Sequence, residues 1–191
     1  MVLSDSKLAE WAAGGGIRPF DHTLINPASI NVRLGWSVCY PRSKPGRMWR
    51  RFENWRDGYA FPTSQGEESD LRWHKPKRFD TLTIKQGDFV LVNTLEHIEV
   101  PNDCAANFAL RSSWARNGLG HQLAGWGDPG FSGHYTLELF NLHPQPIILR
   151  QGDIIGQLVL YRMETIPFVG YEQTGRYNGQ VEATPARGRA D

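Results

Sequence analysis

Cysteine is scarce in this sequence, with only Cys39 and Cys104 among 191 residues. Two thiols cannot build the disulfide framework on which small exported domains rely, so both are expected to be reduced and buried. The first residues also lack a cationic start followed by an apolar run, which argues against a signal peptide. The expected location is therefore cytoplasmic.

Net charge and long apolar runs are lacking too. The formal net charge is +1, so nothing global steers the chain towards nucleic acid or a membrane. No run approaches the ~18 apolar residues of a membrane span. Any site for an anionic ligand must therefore be built locally.

Glycine and proline, by contrast, are plentiful, at 20 and 12 residues. Residues 5–13 predict a short helix, capped by Ser4 or Asp5 and ended by the glycines at 14–16. Short strand-like runs separated by turn residues follow at 29–34, 81–84, 88–92, 97–100, 134–140, 147–149 and 154–161. This pattern predicts one mainly β domain over 1–191, either a sandwich or a barrel.

Residues 41–79 form an excursion that is rich in Arg, Lys and Trp and has no clean period. Such a stretch can bind single-stranded nucleic acid by stacking and charge. The alternative, which we favour, is that its tryptophans pack on the barrel or on a neighbouring subunit. A nucleic-acid partner is therefore not expected.

The densest polar stretch is 111–119, which offers two guanidinium groups and two hydroxyls within six residues. If it is helical, Ser112 and Arg116 share a face that can cradle phosphates. A capped surface helix explains the pattern about as well.

A second stretch, 124–133, places four glycines around Asp128. It is either a structural turn or a rigid support for an Asp that holds a sugar hydroxyl or a water.

Strand alternation divides residues 135–141 into two faces. One face holds Tyr135, Leu137 and Leu139, and the other holds Thr136, Glu138 and Phe140. A carboxylate beside a phenylalanine in mid-strand is an unusual surface pattern, and partial burial would suit Glu138 to proton transfer. An ordinary exposed glutamate is the alternative.

A zinc site is not expected. His97 and Glu99 match the H-x-E half of the zinc deaminase signature, but the P-C-x-x-C half is absent and Cys104 stands alone. The remaining histidines show no close-spaced pair. We therefore expect no metal held by the protein itself.

Taken in order, these stretches resemble the dCTP deaminase family of the dUTPase-like superfamily. Residues 1–5 and 27–35 resemble the family's N-terminal segment, and 86–91 with 94–96 resemble "PGEFVL…TLE". Residues 111–119 resemble "RSSLGRLGL", and 124–141 resemble "AGWIDPGFEGHITLELSN". Residues 156–158 and 176–180 resemble "IGQL" and "KYQGQ". The resemblance therefore covers nearly the whole chain.

The resemblance implies a distorted β-barrel or jelly roll with a short N-terminal helix and a few further short helices. It also implies a homotrimer with active sites between subunits, and a lid and tail over about 170–191. The implied reaction is hydrolytic deamination of dCTP to dUTP and ammonia, in pyrimidine deoxynucleotide supply. Mg²⁺ would arrive on the substrate triphosphate, and dUTP and dTTP are further candidate ligands, dTTP as an inhibitor.

The resemblance also assigns roles to residues. Glu138 falls at the proton shuttle, while Ser112, Arg116 and the Ala124 carbonyl fall where the attacking water is positioned. Asp128 falls at the sugar-contacting position. The expected nucleotide-binding residues are Arg111, Ser112, Ser113, Arg116, Asp128, Thr136, Leu137, Gln157, Tyr171, Arg176 and Gln180.

Four positions depart from the family pattern. Asn31 replaces an Asp near Arg33, where it is expected to alter an ion pair; Arg176 replaces Lys; Trp114 replaces a small aliphatic residue; Gly127 replaces Ile before Asp128. These departures leave the substrate open to a modified cytosine or a monophosphate.

Three other activities compete with the deaminase. A bifunctional deaminase and dUTP diphosphatase, which gives dUMP and pyrophosphate, is favoured by the likeness of residues 124–126 to the start of "AGWID". A plain dUTPase would lack the strand glutamate represented by Glu138. A non-catalytic deoxynucleotide-binding regulator would not need Glu138, Ser112 and Arg116 together.

Overall fold

The computed structural model describes residues 1–41, 73–122 and 124–187. Its helices are α1 (Asp5–Trp11), α2 (Ser112–Arg116) and α3 (Tyr171–Thr174), with a π-helical turn at Ala12–Gly16 and a 3₁₀ turn at His22–Leu24. Its strands are β1 (Ile17–Arg18), β2 (Ile25–Asn26), β3 (Ser29–Cys39), β4 (Lys77–Arg78), β5 (Thr81–Ile84), β6 (Phe89–Glu99), β7 (Cys104–Leu110), β8 (Leu119–His121), β9 (Trp126–Gly127), β10 (Ser132–Asn141), β11 (Ile147–Arg150) and β12 (Ile154–Arg162).

The described strands form one large antiparallel sheet and one small one. The large sheet runs β8-β10-β6-β3-β12-β7-β9, with β1 added on β6 and both β2 and β4 added on β3. The small sheet pairs β11 with β5. The expected mainly β architecture is confirmed, and β10, which carries Glu138, lies between β8 and β6.

The two strands predicted at 88–92 and 97–100 are in fact one continuous strand, β6 (Phe89–Glu99). The polar residues between them suggested a break, but their side chains are buried and satisfied within the sheet. The Asn93 amide oxygen accepts the main-chain N–H groups of Trp36 and Ser37 at 3.1 and 2.9 Å. The Thr94 hydroxyl donates to the Glu96 carbonyl at 2.8 Å.

Other predictions needed correction too. The run at 29–34 extends to Cys39, and strand β7 was missed because its small residues, Cys-Ala-Ala-Asn-Phe-Ala-Leu, show no alternation. The first helix ends at Trp11 rather than at residue 13 and passes into the π-helical turn. Ser4 occupies its N-cap position, but neither Ser4 nor Asp5 makes the expected side-chain cap.

Both cysteines are buried and unpaired, as expected. The Cys39 thiol donates to the Ala183 carbonyl at 3.2 Å, which fastens the C-terminal segment to the end of β3. Burial raises the pKa of both thiols to about 11. Neither thiol is therefore an available nucleophile near neutral pH.

The excursion between β3 and β4 lies largely outside the described residues, which resume at Trp73. Residue 73 bridges to Pro41, and its ring packs edge-on against Phe89 with centroids 5.7 Å apart. For this one tryptophan, packing on the sheet is confirmed. Among the residues that the structure describes, no helix is long and apolar enough to cross a membrane.

The side chain of Arg33 pairs with Glu96, not with residue 31, which corrects the expectation that Asn31 disturbs this ion pair. The Glu96 carboxylate accepts the Arg33 main-chain N–H at 2.8 Å and its Nε–H at 2.6 Å. The Glu96 side chain is 0% exposed and that of Arg33 is 22% exposed. Burial raises the pKa of Glu96, and the two Arg33 hydrogen bonds act in the opposite direction.

We expect Glu96→Ala to lower the free energy of unfolding by about 3–5 kcal/mol, because it leaves two Arg33 donors and a partly buried charge without a partner. The matched control is Glu99→Ala on the same strand, whose partner Arg18 is exposed; its effect should stay within about 1 kcal/mol. Urea denaturation of both variants measures the difference. Equal effects would show that the buried pair contributes no more than the surface one.

Candidate active site

Glu138 lies near the middle of β10, on the face turned away from the core. Residues of this strand alternate between buried and half-buried, which confirms the two predicted faces. The side chain of Glu138 is 24% exposed, and its cross-strand neighbour on β6 is the buried Leu91. Leu137 is fully buried on the core face, so only its backbone is available to a ligand.

The imidazole of His121 lies beside this carboxylate. His121 Nε2 and Glu138 Oε2 are 3.4 Å apart. Both atoms are buried, and neither has a hydrogen-bond partner among the described residues. The His121 ring packs edge-on against Phe108, with centroids 4.9 Å apart. A sheltered carboxylate oxygen without a hydrogen bond is free to take a proton from a bound molecule.

Sequence reasoning missed His121, which was considered only as a metal ligand. It is 17 positions from Glu138, and no motif links the two residues. They meet because β8 pairs with β10, where His121 lies opposite Leu139. Nothing in the local sequence could have found this pairing.

The link between β8 and β9 brings Ala124 towards Glu138. The main-chain N–H of Gln122 donates to the Glu138 carbonyl at 3.1 Å, and that of Ala124 donates to the Gln122 carbonyl at 2.7 Å. Ala124 is exposed. Its predicted role near Glu138 is therefore compatible with its place in the chain.

Helix α2 carries the predicted phosphate-binding groups. It is anchored to the start of β12, where the Trp114 indole donates to the Ile154 carbonyl at 2.9 Å. The side chains of Arg111, Ser112, Ser113 and Arg116 are exposed. In the described part of the chain these four side chains form no hydrogen bond or ion pair.

The loop after β9 presents Asp128 at the surface. The Trp126 indole N–H donates to Asp128 Oδ1 at 3.1 Å, and the indole ring stacks on Tyr161 with centroids 6.3 Å apart. Gly130 has a φ of 84°, a left-handed conformation that glycine adopts without strain. The loop therefore holds one carboxylate oxygen and leaves the other for a ligand.

The C-terminal segment, residues 171–187, lies along the outer face of β10. The Tyr171 N–H donates to the Pro129 carbonyl at 2.8 Å, and the His134 N–H donates to the Gln180 carbonyl at 2.9 Å. Thr136 Oγ1 lies 3.4 Å from Gln180 Oε1 and accepts the Thr184 N–H at 3.0 Å. The structure thus brings Gln180 of the C-terminal segment against Thr136, which lies on the strand that carries Glu138.

Two other predicted residues of the nucleotide site make hydrogen bonds with residues that have no predicted role. Gln157 is on β12, and its side-chain oxygen accepts the Ser29 hydroxyl at 3.0 Å. Arg176 is exposed, and its carbonyl accepts the Arg187 guanidinium at 2.8 Å. A groove of about 500 Å³ beside the C-terminal segment includes Gln180 and Thr184 but not Glu138.

The partial zinc signature at His97 and Glu99 lies on β6, away from Cys104. His97 Nδ1 is 3.9 Å from Glu99 Oε1, while Cys104 begins β7 and directs its thiol to Asp103 at 3.4 Å. Over residues 1–41, 73–122 and 124–187 no three His, Cys, Asp or Glu side chains come together as a metal site would require.

A family model described as dCTP deaminase-like matches residues 2–163. The chain belongs to the dCTP deaminase-like family. A Mycobacterium avium protein named "dCTP deaminase, dUMP-forming" is 41% identical over 193 residues, which cover 98% of this chain and 95% of that protein. A Streptomyces avermitilis protein of the same name is 38% identical over 194 residues, with the same coverage.

A solved structure confirms the fold expected for this dCTP deaminase-like protein. The crystal structure of 2′-deoxycytidine 5′-triphosphate deaminase from Agrobacterium tumefaciens matches with a TM-score of 0.60 at 19% identity. The match covers 83% of this chain and 47% of that one, so this chain spans about half its length. The family model ends before the C-terminal segment, whereas the two curated relatives extend over it.

Proposed function

We propose that this protein hydrolytically deaminates dCTP and carries the product on to dUMP, with Glu138 as the proton-transfer residue. The observation that carries the proposal is the buried Oε2 of Glu138 on the outer face of β10, which has no hydrogen-bond partner in the ranges that the structure describes. Family membership and the names of the two relatives support the substrate. Those names also favour dUMP over dUTP as the final product, which was the alternative reading of the sequence.

In the deamination step, water adds to C4 of the cytosine ring. Glu138 takes a proton from this water and returns it to N3, and then moves a proton to the departing amino group. The C4–N bond breaks, so dCTP and water give dUTP and ammonia. The Ser112 hydroxyl, the Arg116 guanidinium and the Ala124 carbonyl position the water, and no zinc takes part.

Different residues of the site bind the triphosphate, the sugar and the base of the substrate. Arg111, Ser112, Ser113 and Arg116 bind the triphosphate, which arrives with Mg²⁺ on its oxygens. Asp128 holds the sugar, and Thr136 with the backbone of Leu137 faces the base. Gln157 contributes from β12, and Tyr171, Arg176 and Gln180 close over the nucleotide. dTTP, which shares the sugar and triphosphate, is the expected inhibitor.

The second step is hydrolysis of dUTP between its α and β phosphates, which releases pyrophosphate. Asp128 is the carboxylate that would activate water for this attack. Its Oδ1 takes the Trp126 indole N–H, and the loop exposes the carboxylate. The rival activities are deamination alone and nucleotide binding without catalysis.

We further propose that the enzyme is a homotrimer in which α2 of one subunit faces Glu138 of another. The side chains of α2 that are expected to bind phosphate are exposed and make no hydrogen bond or ion pair among the described residues, which supports this arrangement. So does the exposure of large apolar side chains, because Trp126, Leu142, Ile148 and Phe168 each expose more than half of their surface. Apolar surface of this kind is commonly covered in an assembly.

We place the enzyme in the cytoplasm.

The decisive experiment is an incubation with dCTP and Mg²⁺ in which ammonia and pyrophosphate are measured together. We expect both to appear in equal amounts. Ammonia alone would identify a deaminase that stops at dUTP, and pyrophosphate alone would identify a nucleotide diphosphatase. If neither appears although dCTP binds, the protein is a regulator or acts on another pyrimidine nucleotide.

A further inference from the structure

The side chain of Tyr135 occupies space that position 127 leaves empty. A Cβ added at Gly127 would overlap the Tyr135 hydroxyl oxygen and lie 2.9 Å from Cζ of the same ring. The motif that residues 124–141 resemble has Ile at both positions. In this chain a large residue at 135 is therefore matched by the smallest residue at 127.

The environment of Tyr135 fixes its ring but leaves its hydroxyl unsatisfied. The residue is 5% exposed, and its ring packs against Phe131 with centroids 4.8 Å apart. Its main-chain N–H donates to the Thr94 hydroxyl at 2.9 Å. The phenol oxygen is buried and has no hydrogen-bond partner in the part of the chain that is described. A buried hydroxyl without a partner is costly, so such a group calls for an explanation.

Asp128 directly follows Gly127, the residue beside which this hydroxyl lies. Burial raises the pKa of Tyr135, and the charges of Asp128 and Tyr171 act in the same direction. The phenol therefore keeps its proton near neutral pH and is a hydrogen-bond donor. Trp126 already donates to one Asp128 oxygen from the solvent side, which leaves the second oxygen available.

We propose that Tyr135 is a positioning residue for nucleotide binding, whose hydroxyl donates to the Asp128 carboxylate when the sugar of the substrate engages this loop. The proposal rests on the proposed function, because it presumes that Asp128 holds the sugar. The indole of Trp126 and the phenol of Tyr135 then hold the carboxylate from opposite sides. The Gly127 and Tyr135 pair becomes a determinant of substrate affinity that the related motif does not contain.

The first test is Tyr135→Phe, which removes one oxygen and keeps the ring. We expect KM for dCTP to rise about tenfold while kcat changes less than about twofold, because the lost bond acts equally in the ground and transition states. The thermal midpoint should stay the same or rise, since an unpaired buried hydroxyl is lost. Tyr40→Phe, which removes the hydroxyl of a half-buried tyrosine after β3, is the matched control and should leave KM unchanged.

The second test asks whether the large side chain at position 135 requires glycine at position 127. Gly127→Ile alone should lose folded yield and activity, because its side chain collides with Tyr135. Adding Tyr135→Ile should restore folding and turnover, with KM remaining at the raised value of Tyr135→Phe. If Tyr135→Ile does not rescue Gly127→Ile, the two side chains do not compete for the same space.

Direct titration with dCTP separates this inference from the proposed function. If the wild-type protein deaminates or binds dCTP and Tyr135→Phe does so with unchanged KM or Kd, the positioning role is wrong and the proposed function stands. If the wild type binds dCTP without releasing ammonia, the Kd of Tyr135→Phe for dCTP, compared with that of the wild type, still tests the role of Tyr135. If it neither binds nor deaminates dCTP, both proposals are overturned.

Discussion

Glu138→Gln should abolish ammonia release from dCTP, with kcat falling by about 10²–10⁴, the range that proton transfer by a positioned side chain contributes. The amide has nearly the shape of the carboxylate but cannot accept the proton of the attacking water. Binding of dCTP should change little, because the phosphate and sugar contacts are unaltered. Stopped assays of ammonia and calorimetric titration of dCTP measure the two quantities separately.

The matched control for this prediction is Glu164→Gln, a carboxylate-to-amide change at an exposed position after β12. It should leave both turnover and binding unchanged. Ammonia release by Glu138→Gln at the native rate would remove Glu138 from the mechanism. Loss of both binding and turnover would instead make Glu138 a ligand for the substrate.

Mixed trimers of two inactive variants should recover activity. Arg116→Ala removes a predicted water-positioning group on α2, and Glu138→Gln removes the proton shuttle. If these groups come from different subunits, a trimer that contains both variants has one intact site in three. Co-expression with two affinity tags and purification over both should therefore give about a third of the native turnover per trimer.

The control is a doubly tagged assembly in which both chains carry Glu138→Gln, and it should stay inactive. An assembly that contains both variants and also stays inactive would place Arg116 and Glu138 of one site in the same chain. Sedimentation of the wild-type protein reports the number of subunits independently. A monomer that deaminates dCTP would contradict the shared site.

The local pattern of the sequence was enough for several features of the site. Period-two alternation placed Glu138 opposite Tyr135 and Leu137, because successive side chains of any strand point to opposite faces. The sequence indicated that Ser112 and Arg116 would share a face if their stretch were helical, and α2 spans both residues. Two isolated cysteines predicted unpaired thiols, and both are buried.

Polar residues in the interior were harder to place from the sequence. Asn93, Thr94 and Glu96 resemble a break between two strands, yet they lie in the middle of β6. Their side chains form hydrogen bonds with β3, with β10 and with their own strand, so their burial is tolerated only in the folded sheet. The same reason hid the true partner of Arg33, which lies 63 positions away.

By itself, the sequence determined the β architecture, the face on which Glu138 lies and the family to be compared, since these depend on backbone periodicity and ordered motifs. Only the tertiary structure decided that His121 adjoins Glu138 and that Tyr135 fills the space at Gly127. These contacts depend on which strands become neighbours. That choice is made by long-range packing, for which residue spacing along the chain carries no signal.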